Sequence, residues 1–207
     1  MTRTHVQATV ALVMLLPTLA AAPRRDAALD LQPESRLWVS GTSTVRAFQC
    51  QAGAFDAKIE STGADAVAAV LAGEKAVSTI EVTVPAEKLD CRNGTMNEHM
   101  RKALKAKEFP TVVFRAASYD LTRTNESVGV TLNGTLTLGG VEKPITVNAQ
   151  AKPGADGTLI VSGTREVRMT EFGLKPPSLM LGTMKVDEKI TVGFEVVLKN
   201  RDDVIRS

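Results

Sequence analysis

The sequence predicts an all-β protein, an antiparallel barrel of eight strands with one short amphipathic helix between strands. Apolar and polar residues alternate with period two over most of the 207-residue chain, which is typical of strands with one buried face. Turn-forming pairs such as Gly139-Gly140 separate the alternating runs. Because a sheet of many short strands loses its exposed edges only when it closes on itself, a barrel is the favoured architecture.

The N-terminus has the pattern of an export signal. Arg3 precedes an apolar run over residues 6–16, which is followed by small residues, and this order is typical of a cleaved secretory signal peptide. The run is shorter than the roughly 20 residues that a membrane-spanning helix needs. We therefore expect residues 1–21 to be a signal peptide cleaved within 20–22. A periplasmic or secreted protein with no stable membrane insertion would result.

The rest of the chain is predicted to form one domain. Residues 22–35 lack periodicity and are expected to be a loose segment, 36–200 the barrel, and 201–207 a C-terminal tail. The 25 basic and 23 acidic residues are interspersed, so no basic stripe indicates a nucleic-acid partner. A homodimer is left open.

The strands are expected in the alternating runs. In the last run, Ile190, Val192 and Phe194 share one face, with polar or small residues between them. The alanine-rich stretch over 63–74 interrupts the alternation and predicts a short helical turn or an ordered loop. In chain order, the runs read RLWVSGTSTVRAFQC, GAFDAKIE, AVSTIEVTVPAEKL, TVVFRAASYDLTR, SVGVTLNGTLTLGG, PITVNAQAK, LIVSGTREV and DEKITVGFEVVLK.

The amphipathic helix is predicted within TMNEHMRKALKAKEF. Thr95 and Glu98 have the spacing of a capping box, in which each side chain satisfies a free backbone N–H at the helix start. Met96, Met100 and Leu104 then fall on one apolar stripe. Two interpretations stay open, an ordinary core helix and a lid over a ligand cavity.

Cys50 and Cys91 are predicted to form a disulfide, because an even number of cysteines in an exported chain is typical of one. Closing this loop would stabilise the fold by about 4 kcal/mol. The alternative is a reactive Cys91 thiolate assisted by His99, which requires Cys50 to be unpaired.

The sequence contains little that indicates catalysis. Outside residues 1–21, His99 is the only histidine, whereas a zinc site needs three or four ligands. No Gly-x-Ser-x-Gly segment or phosphate-binding Gly-rich loop is present. We therefore expect no catalytic residue, metal or cofactor. Arg46 and Arg168 lie within strand-like runs, and a structural ion pair, a diphosphate contact and exposure stay open for both.

Four stretches of the sequence are informative together: GAFDAKIE, EFPTVVF, GTLTLGGVEKPITV, and REVRMTEFGL followed by VDEKITVGFEV. In this order they resemble the YceI-like family of exported, lipocalin-like, polyisoprenoid-binding proteins, and the resemblance covers the chain from Trp38 to Leu198. The helix region departs from the family, because it lacks an Asp-Phe-Phe element that many members carry before the Phe-Pro step. Contacts of that element are therefore not carried over to this chain.

The resemblance implies a lipocalin-like barrel that binds a long-chain apolar lipid, a polyisoprenoid or an isoprenoid quinone-like molecule, without a chemical step. Arg46, His99 and Arg168 are the candidates for headgroup contact. Two alternatives stay open, a lipid-modifying enzyme that uses His99 and a ligand-free barrel that binds a protein partner. By analogy, the residues expected to line the ligand site are Trp38, Phe48, Ile80, Val82, Met96, Met100, Phe114, Leu136, Phe172 and Phe194.

Overall fold

The computed structural model of the protein describes residues 27–179 and 183–201. The predicted signal peptide and all of the predicted tail except Arg201 lie outside this part of the chain.

The described residues form twelve strands and two α-helices. The helices are α1 (Ala66–Ala72) and α2 (Gly94–Ala103), and short 3₁₀ turns occupy Ala86–Lys88, Ala155–Gly157 and Met169–Phe172. The strands are β1 (Ala28–Leu31), β2 (Arg36–Ser43), β3 (Ala47–Ala52), β4 (Asp56–Ser61), β5 (Val77–Pro85), β6 (Leu89–Asp90), β7 (Thr111–Arg123), β8 (Val128–Leu138), β9 (Val141–Pro153), β10 (Leu159–Arg168), β11 (Ser178–Leu179) and β12 (Met184–Asn200).

The sheet closes into a barrel of eight strand positions. Strands β1 and β2 follow one another along the same edge of β12, and β3 and β4 pair with β2 and β1 in turn. The sheet continues from β4 through β5, β7, β8, β9 and β10 to β12. The pairing of Leu29 with Asn200 then returns β12 to β1. Every pairing in this ring is antiparallel, which confirms the predicted architecture.

Strand β12 shows how the alternation builds the interior. Ile190 and Leu198 are buried, and both face inward with Val192 and Phe194 between them. The intervening Glu195 forms an ion pair with Arg36 on the outer face. The period-two pattern therefore separates an apolar interior from a polar exterior.

Helix α1 closes one end of the barrel. The Asp65 side chain accepts a hydrogen bond from the Ala68 N–H at 3.1 Å and caps its start, and Gly73 ends it with φ of 83°. Glycine adopts this left-handed conformation without the steric cost of a Cβ. Val67 and Val70 are buried in the core. Of the two interpretations of this stretch, the short helix is confirmed, so the chain has a second helix besides the one predicted.

Helix α2 begins earlier than the capping box predicted. Its N-cap is Asn93, whose side-chain oxygen accepts a hydrogen bond from the Met96 N–H at 3.0 Å. The prediction of a cap at Thr95 is wrong, because Thr95 already lies within the first turn. Asparagine and threonine are both good caps, and the chain uses the first of the two.

The segment predicted to be loose contains a strand. Strand β1 pairs with both β12 and β4, so the expectation for residues 22–35 is wrong for Ala28–Leu31. Arg201 continues the same contacts, since its N–H donates to the Ala28 carbonyl and its guanidinium pairs with Asp30 at 2.6 Å. A run of four residues is too short to show a period clearly.

Candidate ligand-binding site

Two apolar chambers lie end to end inside the barrel. The outer chamber, on the side of α2, has a volume of about 550 Å³. The inner chamber, on the side of α1, has a volume of about 200 Å³. Their shared boundary shows that the chambers are neighbouring parts of one interior. The side chains that line both are Leu37, Val82, Phe114, Leu136, Val167 and Val192.

The inner chamber is almost entirely apolar. Leu29, Leu159 and Leu198 line it, together with Val70 of helix α1. Tyr119 also lines this chamber, and its hydroxyl accepts a hydrogen bond from the Val77 N–H at 3.0 Å. Because that hydroxyl already has a partner in the wall, the chamber offers a ligand mainly hydrocarbon surface.

The outer chamber has helix α2 and the disulfide as part of its wall. Met96, Met100 and Leu104 line it from the helix side, and Cys50 and Cys91 line it beside them. The disulfide between Cys50 and Cys91 is present, which confirms the prediction and excludes the alternative of a free Cys91 thiolate. The helix is therefore a wall of the cavity, which favours the lid interpretation.

Polar contacts tie α2 to the segment before it. The side-chain oxygen of Asn97 accepts a hydrogen bond from the Cys91 N–H at 2.7 Å, and its amide donates to Asp90 at 2.8 Å. Arg101 donates to the Glu87 carbonyl at 3.0 Å. The hydrogen bond from Asn97 lowers the pKa of Asp90 below its ordinary value, with a smaller contribution from the Arg92 N–H.

One rim of the outer chamber is polar. Ser43, Arg46, Asn93, Thr95 and His99 line it there. Within the described residues, no carboxylate lines either chamber, so the polar groups at this rim are donors or neutral hydroxyls and amides. Beside them Val45, at the turn between β2 and β3, is 65% exposed.

Most of the predicted lining residues do line a chamber. Phe114, Leu136 and Val82 lie at the boundary between the two chambers. The structure gives the position of these side chains in the chamber walls, and their contact with a ligand stays a prediction. Besides those three, the predicted residues that line a chamber are Phe48, Met96 and Met100 in the outer one and Ile80 and Phe194 in the inner one.

Trp38 and Phe172 are corrections to that prediction. Trp38 points to the outer face, where its indole lies against Gly193 of β12. Its neighbours Leu37 and Val39 face inward instead, as alternation requires. Phe172 is buried in an apolar cluster with Met169 and Leu174 and lines neither chamber, because it lies in a 3₁₀ turn outside the alternating strands.

Of the three headgroup candidates, two line the outer chamber and one lies on the outer face of the barrel. Arg46 and His99 line the outer chamber, and the His99 side chain forms no hydrogen bond or ion pair with another described residue. Arg168 lies on the outer face, where it pairs with Glu188 at 2.9 Å and Glu171 at 3.8 Å. Of the alternatives left open for Arg168, the structural ion pair is present, and Arg168 lines neither chamber.

Arg165 lines the inner chamber, and the sequence prediction missed it. Strand β10 alternates inward through Val161 and Val167, and Arg165 takes an inward position between them. The signal was present in LIVSGTREV as a charged residue on the apolar face of a strand. Because Arg165 is exposed although it takes an inward position, the strand tolerates a cation there.

Among the residues that the structure describes, no group of three or more His, Cys, Asp or Glu side chains is arranged to hold a metal ion. Among the helices of the described chain, none is long and apolar enough to cross a membrane.

Comparison with known proteins agrees with the barrel fold. The chain is similar to Burkholderia cenocepacia BcnA, at a TM-score of 0.63, 15% identity and coverage of 81% of this chain and 99% of the other. It is also similar to a Campylobacter jejuni YceI protein, at a TM-score of 0.54, 22% identity and coverage of 72% and 82%. A polyisoprenoid-binding domain from Saccharophagus degradans gives a TM-score of 0.58, 11% identity and coverage of 85% and 99%.

At these identities the structural likeness shows the fold. A search of the curated proteins found no match. The family model described as the YceI-like domain matches residues 35–198, which is most of the chain and nearly the whole of the barrel. The chain belongs to the YceI-like family.

Proposed function

We propose that the protein binds one long-chain apolar lipid, a polyisoprenoid or an isoprenoid quinone-like molecule, in the two chambers and performs no chemical step on it. The observation that carries the proposal is the shared lining of the chambers. Val82, Leu136 and Val192 line both, so a flexible chain can pass between them along an apolar wall.

The shape of the interior favours a slender ligand. Along β12, residues from Val186 to Leu198 line the chambers in turn. Twelve strand steps at about 3.4 Å, inclined by about 40° to the barrel axis, span about 30 Å. An interior of that length and small volume fits an extended chain better than a compact molecule of the same mass.

The apolar lining of the chambers supplies favourable free energy for binding such a ligand. Burial of hydrocarbon contributes about 25 cal/mol per Å² of apolar surface. Two methionines, Met96 and Met100, add a soft wall that adapts to an irregular branched chain. The loss of ligand freedom on binding opposes this gain, so a longer chain should bind more tightly until the chambers are full.

The solved domain from Saccharophagus degradans is described as polyisoprenoid-binding and implicated in plant cell wall breakdown. The ligand class in that description supports a lipid for this chain, and the choice of isoprenoid rests on this likeness and on family membership.

A binding role is favoured over the lipid-modifying alternative. A general acid or base needs a partner that orients it and fixes its protonation state. His99 has no such partner among the described residues. The second alternative, a barrel without ligand, predicts a solidly packed interior, whereas this interior holds two chambers.

We also propose that the protein works in an oxidising compartment, the periplasm or the cell exterior. The Cys50–Cys91 disulfide supports this location, because disulfides persist where reducing systems are absent. The predicted signal peptide over residues 1–21 would direct the export.

Native mass spectrometry of the protein purified from its own host tests the proposed function, followed by organic extraction of whatever it carries. We expect an added mass that dissociates as a single lipid and is recovered in the organic phase. The stripped protein should take up a prenol offered in detergent. A protein that carries no lipid and takes up no prenol contradicts the proposal.

A further inference from the structure

The barrel wall is incomplete between β9 and β10. These strands pair only from Leu159 with Pro153 to Gly163 with Ala149. Beyond that point, residues 141–148 of β9 pair with β8, and residues 164–168 of β10 pair with β12. The two segments face each other without a ladder, and the gap between them is called the β9–β10 slit.

The slit has defined ends. At one end the backbones are held close by Gly163, where an added Cβ would meet the Asn148 carbonyl oxygen and the Phe194 ring. At the other end Leu174 packs against Gly139. The free part of β10 is five residues long, which corresponds to about 17 Å at the usual rise per residue.

A second stretch without a ladder lies between β5 and β7, and there side chains bridge the two strands. Their ladder covers Glu81 to Pro85 of β5, and the remainder of β5 is bridged by side chains. The Val77 N–H donates to the Tyr119 hydroxyl at 3.0 Å, and Lys75 pairs with Asp120 at 2.9 Å. Among the described residues, no such side-chain bridge crosses the β9–β10 slit.

Instead, each of the two strands that border the slit carries a basic residue. Arg165 of β10 pairs with the inward-facing Val192, and Lys143 of β9 pairs with the inward-facing Leu136. Directly opposed residues of an antiparallel pair share a face of the sheet, so both cations lie on the inward face. Both are exposed, and Arg165 lines the inner chamber.

Neither cation is neutralised by the described protein. Neither Arg165 nor Lys143 forms a hydrogen bond or ion pair with a described residue. The neighbouring carboxylates are engaged elsewhere, since Glu166 pairs with Lys189 at 3.5 Å and Glu142 accepts from the Thr137 hydroxyl at 3.5 Å. An arginine free of carboxylates beside an apolar chamber is suited to a planar, bidentate contact with an oxyanion.

We infer that the β9–β10 slit binds a phosphate-type oxyanion, with Arg165 as its main contact and Lys143 as a second charge. The oxyanion is carried by the lipid or is free in solution. In the first case its tail occupies the chambers, so the inference rests on the proposed function. The slit then makes the protein select a prenyl phosphate over the uncharged prenol.

Competition between a polyprenol and its monophosphate of the same chain length isolates the headgroup, because the apolar burial is the same. With native mass spectrometry as readout, we expect the wild-type protein to prefer the phosphate roughly tenfold or more. Arg165→Gln should bring the preference close to one while still binding both lipids. Lys143→Gln should reduce it in part.

One matched variant serves as a control. Lys152→Gln removes an exposed lysine from β9 outside the slit and should leave the preference unchanged. Arg46→Gln is the competing test, because it removes the cation that lines the outer chamber at its rim. A preference that is lost in Arg46→Gln and kept in Arg165→Gln overturns the inference, because the headgroup then lies at the rim.

Inorganic phosphate alone distinguishes the two sources of the oxyanion. If it binds the wild type and not Arg165→Gln while the two lipids bind equally, the slit takes free phosphate. If the wild type binds both lipids equally and no phosphate, the inference is wrong and the proposed function stands. Binding of neither lipid contradicts the proposed function instead.

Discussion

The sulfur atom of Met100 lies 3.7 Å from Sγ of Cys91, so helix α2 packs directly on the disulfide. Both sulfur atoms belong to the wall of the outer chamber. The bridge to Cys50 on β3 therefore fixes the start of the helix to the barrel, close to the hydrophobic stripe that closes the cavity.

Removing the disulfide should weaken both the fold and the cavity wall. The two cysteines are 41 positions apart, and opening a loop of that size costs about 4 kcal/mol of unfolding free energy on the chain-entropy model. The double variant Cys50→Ser, Cys91→Ser should show this loss in denaturant unfolding. It should also release bound lipid faster, and an unchanged release rate would show that the bridge does not hold α2 in place.

The contact between Asp90 and Asn97 should make the anchoring of α2 depend on pH. Hydrogen bonds to the charged carboxylate lower the pKa of Asp90 in the folded protein, so the unfolded chain binds its proton more readily. The contribution to stability is present above the ordinary carboxyl pKa of about 4 and is lost as pH falls through the lowered folded value.

Thermal unfolding of wild type and Asp90→Asn at several pH values measures this effect. The difference in midpoint between the two proteins should be largest near neutral pH and should shrink as the pH approaches 3. A difference that is constant over this range would show that the Asp90 charge has no part in the contact.

Gly134 should be intolerant of a side chain. An added Cβ would meet the carbonyl oxygen of Arg115 and Cα of Ala116, where β7 is bulged opposite β8. Since these are backbone atoms, they cannot move aside as a side chain would. Gly134→Ala should lower the unfolding free energy by about 2 kcal/mol. Gly63→Ala, where the added group meets nothing within 4 Å, should be close to neutral in the same chemical denaturation.

Replacing His99 separates binding from catalysis. His99→Gln keeps a polar side chain of similar reach at the rim, so lipid uptake should stay within about threefold of wild type, the effect of losing one half-buried polar contact. The same preparation should show no difference from wild type in the chemical form of the recovered lipid. A product made by the wild type and absent with the variant would restore the enzyme alternative.

The barrel and much of its lining could be predicted because strand alternation is local. The pattern in KITVGFEVVL places Ile190, Val192 and Phe194 on one face, and the structure keeps them there. Trp38 was assigned inward by analogy, although alternation with Leu37 and Val39 places it outside. In that case the local pattern was the better guide.

Other features of the site depend on where the hydrogen-bonded pairing of two strands ends. No local sequence pattern specifies that point. The β9–β10 slit exists because pairing stops at Gly163, and the sequence around Gly163 still reads as a continuous strand. Arg165 could be predicted only in part. The alternation in LIVSGTREV indicates its inward position, but no pattern in the sequence indicates that it is exposed. Phe172 could not be placed, because the alternation stops before its 3₁₀ turn.

Affinity as a function of prenol chain length tests most directly that one lipid occupies both chambers. At about 0.8 kcal/mol per buried CH₂, each added five-carbon isoprene unit contributes up to about 4 kcal/mol before the cost of ordering the chain is subtracted, so affinity should rise steeply until the inner chamber is full. Val192→Phe narrows the boundary between the chambers, and affinity should then stop rising at a shorter chain. Thr191→Phe, on the outer face of the same strand, should follow the wild-type curve. Affinity that does not depend on chain length, or the same curve for wild type and Val192→Phe, would contradict the account.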